Sequence, residues 1–179
     1  MTTWLFNPFT YVAGLKSLLI GWALMLLTAF IAHYSGAHFD GAIDVHGSSK
    51  VFPAWCFFME QLIAWGSLVI TIFLAGLFFS TSSVRFIDVA GTVALARGPL
   101  LIIAILHFAI SQPEMDLVDI VIILIEVVFI IWMIALLYNA FKVSCNMKGN
   151  KAAGLFIVSL VVAEVISKVI LHYLYHSIN

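Results

Sequence analysis

A chain of 179 residues that is 64% hydrophobic and only 9% charged cannot hide its apolar surface in a water-soluble fold of that size. Its formal net charge of −1, without any basic cluster, excludes a protein built to grip a nucleic-acid backbone. Two cysteines are too few for a disulfide scaffold or a cysteine-based metal site.

The chain opens with Trp4, Leu5 and Phe6 rather than the basic leader of a signal peptide. Residues 1–14 read as an interfacial segment, with Trp4, Phe6, Phe9 and Tyr11 near the headgroups and a turn at Asn7-Pro8. Five apolar stretches follow, at 15–34, 55–79, 86–110, 117–141 and 152–175. A hydrocarbon core about 30 Å thick needs about 20 apolar residues in helical form, and each stretch meets that length. The runs are continuous, whereas barrel strands alternate with a period of two, so helices are expected. The connections leave no room for a soluble domain. The fold class is therefore all-α, a polytopic integral membrane protein with five transmembrane helices in one domain, 1–179.

Charge then orients the bundle. Lys16, Arg85, Lys142, Lys148 and Lys151 fall on one side of a five-span protein, against Lys50 and Lys168 towards the other. The positive-inside rule places the amino terminus in the cytoplasm and the carboxyl terminus outside. Cys56 and Cys145 fall on opposite sides, too far apart for a disulfide.

In this orientation His33, His38, His46, His107, His172 and His176 all lie on the outer side or in the outer half of a span. The first outer loop carries His38, Asp40, Asp44 and His46, nitrogen and oxygen ligands of the kind that zinc or another divalent cation takes. With Glu60 from the next helix they form the candidate metal site, although no compact His-Glu-x-x-His signature is present. His172 and His176, four apart, share a helix face with Glu164 and Lys168. They read as interfacial residues, or with His33 and His107 as an outer vestibule.

Ionisable groups within the hydrocarbon are costly unless paired or wet. Arg97 falls near the middle of the third span, Glu126 in the fourth and Glu164 near the middle of the fifth, with Lys168 one turn on. An Arg97–Glu164 or Arg97–Glu126 pair would relieve the desolvation of both partners. Gly98 and Pro99 follow Arg97 and should kink or break the third helix. A broken helix beside a buried arginine suits a transporter midplane site, and also a purely structural ion pair. Ala90, Ala94 and Gly98, and likewise Ser67, Thr71 and Ala75, recur every fourth residue as close-packing faces, within the bundle or towards a second copy. No nucleophile elbow, phosphate loop or dinucleotide fingerprint is present.

The string Ser83-Val-Arg85-Phe-Ile-Asp88, continuing through Gly91 to Arg97-Gly98-Pro99, resembles the Yip family of membrane proteins. So do Leu137-Tyr138-Asn139-Ala140-Phe141-Lys142, the following Lys148-Gly149 and Lys151, and the opening Asn7-Pro8-Phe9. The resemblance implies five spans, a cytosolic amino end and, for so compact a chain, a bacterial cytoplasmic (inner) membrane. It also implies roles in membrane organisation. The Rab-type GTPase partner of longer members is not expected here, because their extended cytosolic amino-terminal region is lacking. The leading expectation is a non-enzymatic organiser of membrane or partner proteins, requiring no cofactor and working with the bilayer, a second copy or another membrane protein. A transporter or channel using Arg97, Glu126, Glu164 and Lys168 is the alternative. A metal-dependent membrane hydrolase holding Zn2+ in the outer loop comes third.

Overall fold

The computed structural model describes residues 5–48, 52–110 and 116–176. Trp4 and Lys50, used above for the interfacial segment and the charge asymmetry, lie outside them. Helix α1 spans Gly14–Ser35, α2 Ala54–Phe79, α3 Phe86–Ala96, α4 Leu100–Leu106, α5 Leu117–Ser144 and α6 Gly149–His176. The pieces α3 and α4 form one crossing, Phe86–Ala109, so the described residues hold five helices long and apolar enough to span a membrane.

Local chemistry sets the helix ends. Gly36 adopts the left-handed conformation (φ 73°) that terminates α1, a region open to glycine without steric penalty. Pro53 precedes the first turn of α2, where a missing N–H is harmless. Asp116 and Asp119 form a reciprocal capping box at the start of α5. Between α3 and α4 the helix breaks over Arg97, Gly98 and Pro99, as the proline requires.

The third crossing is the centre of the bundle, with 67% of its apolar window buried against 28% for each of the last two. Its small-residue face meets α1. A Cβ on Gly21 would lie 2.5 Å from the Ala94 backbone, and one on Gly91 would lie 2.4 Å from Ser17 Oγ. Ala90 and Ala94 are buried there, so this face serves packing within the chain. Helix α2 packs chiefly against α6 and α5 against α3.

Two shorter segments pack on the bundle from opposite ends. At the amino end Leu5 O accepts from Trp132 Nε1 at 2.9 Å, and Phe6 O accepts from Asn139 Nδ2 at 2.9 Å. Trp132 lies 12 residues from the end of α5, about 18 Å along its axis. Phe9 is buried in the core rather than placed among headgroups, while Tyr11 is exposed. The amino-terminal segment is thus docked on α5, where two side-chain donors satisfy its carbonyls.

The other segment joins α1 to α2. Ala37–His38 pairs antiparallel with His46–Gly47, His38 opposite His46, which closes the neck of a loop. Beyond the neck, Phe39, Gly41 and Ala42 turn inwards and are buried.

Candidate functional site

The loop descends to Arg97. Arg97 Nη1 donates to Ala42 O at 3.1 Å and Nη2 donates to Gln61 Oε1 at 3.1 Å. On the next residue of the loop, Ile43 N donates to Glu164 Oε2 at 2.9 Å. Arg97 stands 12 residues short of Ala109 and Glu164 12 short of His176, so both lie about 18 Å along their helices from the histidine-rich end. The two charges therefore share a depth, as their spacing implies, but no direct pair forms. The Ala42–Ile43 segment lies between them. Backbone that enters a bilayer-spanning bundle must have its polar groups met by protein, and these two side chains meet them. Gly41 allows the approach, since a Cβ there would fall 2.4 Å from Glu164 Oε1. The expected Arg97–Glu126 pair does not form either, because Glu126 has another partner.

Glu60 holds the same loop from the α2 side. It is fully buried and receives His38 Nδ1 at 2.7 Å, Phe39 N at 2.8 Å and the Tyr175 hydroxyl. His38 lies between Phe57 and His46, with ring centroids at 4.7 and 5.6 Å. Three donors on one carboxylate compensate the loss of its hydration. The five-residue metal site expected from spacing therefore divides. His38 and Glu60 bind each other inside the bundle, whereas Asp40, Asp44 and His46 place one potential ligand atom each within 4.8 Å of one another at its surface.

That surface group already has a cation. The Lys168 ammonium bonds Asp44 Oδ2 and stands 3.9 Å from Glu164 Oε1, so the expected one-turn bridge is the weaker of its two contacts. His46 Nδ1 lies 3.4 Å from Asp40 Oδ1. The Asp40 carboxylate beside the ring pushes the His46 pKa above its ordinary value, outweighing the opposing effect of partial burial, and the nearby Asp44 and Glu60 charges add to it. For Asp40, burial favours the neutral form, yet the adjacent His46 ring, with the Lys168 charge, holds its pKa below the usual carboxylate value. Two oxygens and one imidazole suit a divalent ion by donor type, but an ion would have to displace Lys168 from Asp44.

The remaining histidines do not converge on this cluster. His107 is buried and its Nδ1 donates to Glu126 Oε1 at 3.2 Å, which is where the fourth-span carboxylate finds its partner. His33 packs against Phe57 and Tyr34, at ring centroids 5.4 and 5.0 Å away. His172 and His176 are exposed at the end of α6. Among the described residues, three cavities of about 350, 240 and 210 Å3 are largely apolar grooves on the bundle flanks and are not lined by Arg97, Glu126, Glu164 or Lys168, and a smaller one of about 30 Å3 reaches Gln61, the Arg97 partner.

Sequence reasoning passed over Gln61, Tyr175 and Trp132 and took Asn139 only as part of a family motif, yet each bonds a loop, the amino-terminal segment or a buried charge. Gln61 had a visible signal, because it follows Glu60 directly in an otherwise apolar run. Cys56 and Cys145 are free and buried in different helix-end environments, in keeping with the expected separation. Comparison of the chain with protein-family models, characterised proteins and solved structures finds no match, so the geometry above carries the functional argument by itself.

Proposed function

We propose that this protein is a non-enzymatic organiser of the membrane, working through its lipid-facing helix surfaces. The supporting observation is the engagement of its intramembrane charges. Arg97 and Glu164 bind the loop, Glu60 binds His38 and the loop, and Glu126 binds His107. A transport site needs such groups facing a passage, and the three flank cavities reach none of the four. A hydrolase needs an open metal position beside a base, whereas Asp44 is already bonded to Lys168.

The surface left for function includes the outer face of α5, which with α6 is the least buried of the crossings. Between Leu117 and Ile131 only Asp119, Ile122 and Glu126 are buried, and Leu117, Val118, Leu124, Val128 and Ile131 are strongly exposed. A long apolar ridge of this kind suits a second helix in the bilayer, from another membrane protein or another copy. We place the lysine-rich end in the cytoplasm by the positive-inside argument, and the membrane as a bacterial inner membrane by the Yip-like motifs, which also accord with this role. Photo-crosslinkers at Leu124 and, as a buried control, at Leu137 test the proposal in intact cells. A discrete protein adduct from Leu124 alone is expected. Lipid adducts only, or solute flux through purified protein in vesicles, would overturn it.

A further inference from the structure

A groove of about 240 Å3 runs between α2 and α6, lined by Thr71, Leu74, Ala75, Phe78 and Phe79 on one side and by Leu155, Val158, Ser159 and Val162 on the other. Both sets follow helical spacing, so each is a single stripe on its helix. From Phe79 to Thr71 the groove rises about 12 Å, close to the half-thickness of a bilayer's hydrocarbon core.

The mouth of the groove carries a cation. Lys151, one turn before Leu155, donates to Phe79 O at 3.1 Å and lies 5.9 Å from the Phe79 ring centroid, leaving its other N–H groups free to meet an acceptor. This end of the bundle also bears Lys16, Arg85, Lys142 and Lys148, against a single carboxylate, Asp88. Asp88 is itself 3.6 Å from Arg85. An apolar groove with an ammonium at its interfacial mouth matches an amphiphile with a negative head.

We propose that this groove holds one acyl chain of an anionic phospholipid, with the lipid phosphate on Lys151. The occupant comes from the leaflet facing the lysine-rich end. It adds a lipid ligand to the molecule and does not depend on α5 recruiting a protein.

Native mass spectrometry of the full chain, with phosphatidylglycerol or phosphatidylcholine of identical acyl chains, tests this. The expected result is one retained phosphatidylglycerol, held about fivefold more tightly than phosphatidylcholine. Lys151→Ala should erase that preference, and Lys148→Ala, which alters a charge outside the groove, should keep it. Ala75→Phe should fill the slot and release both lipids. Should Ala75→Phe fail to fold, Val158→Trp, at an exposed position on the rim, fills the slot from the outside. Equal retention of the two lipids, equal effects of the two lysine variants, or unchanged retention in the filled-groove variants would overturn the proposal.

Discussion

Arg97 and Glu164 face each other across one segment of backbone, the arginine holding the carbonyl of Ala42 and the glutamate holding the amide of Ile43. Neither charge is neutralised by the other directly, and each satisfies a polar group that would otherwise be stranded within the bundle. This relationship makes the loop part of the core, and it fixes what substitutions should do.

Arg97→Ala leaves the Ala42 carbonyl and the Gln61 side-chain oxygen without their donor. Breaking a buried charged contact of this kind costs about 3 kcal/mol. Reversible unfolding in mixed micelles should show that loss, with Arg97→Lys intermediate because it keeps the charge but not the fork. A fully stable Arg97→Ala variant would show that the loop does not rely on the guanidinium.

Gly41→Ala drives a methyl group against Glu164 and should cost about 2 kcal/mol by overpacking. The clash requires the carboxylate, so Glu164→Ala should recover part of the loss despite being destabilising alone. A double-mutant cycle reads this as a coupling of about 1 kcal/mol between the sites. Strict additivity would mean that the two residues do not touch.

Stability should depend on pH through Asp40 and His46. The His46 pKa is raised in the folded protein, so its contribution is complete below the ordinary histidine value of about 6.5 and is lost as pH rises through the folded value. The Asp40 pKa is lowered, so its contribution is complete above about 3.9 and is lost as pH falls through its depressed value. Melting temperature should be highest between those limits, and His46→Ala should flatten the alkaline limb. The effect is small because His46 is 47% exposed. Superimposable profiles for the two proteins would remove the pair from the account.

Zinc addresses the surface cluster. Binding must remove the proton from His46 and displace Lys168 from Asp44. Lys168→Met should therefore bind zinc more tightly than the unmodified protein, and more so at higher pH. His38→Ala should leave zinc binding unaffected, since His38 is held by Glu60. Calorimetric titration of the three proteins checks this, and a strong dependence on His38 would contradict the division of the site.

The five crossings were legible because hydrocarbon thickness imposes a length that apolar runs must meet. The last two helices extend past the expected spans, to Ser144 and back to Gly149, since Lys142 and Lys151 leave the hydrocarbon while the helix continues. Hydropathy marks the membrane boundary rather than the helix end. The break after Arg97 was equally readable, because proline chemistry is local. Partners were not. Spacing put Arg97 and Glu164 at one depth, but the path of the 39–45 loop between them depends on contacts over 100 residues apart in the chain. His38 and His46 were grouped by proximity in sequence, yet only His38 turns inward to the Glu60 carboxylate.

Accessibility of Ala42 tests the inward-folded loop most directly. A membrane-impermeant maleimide should leave Ala42→Cys unlabelled while reacting readily with His46→Cys, an exposed position at the loop's neck. Introducing Arg97→Ala into the Ala42→Cys background should make the thiol reactive. Equal labelling of Ala42→Cys and His46→Cys with Arg97 intact would contradict the account.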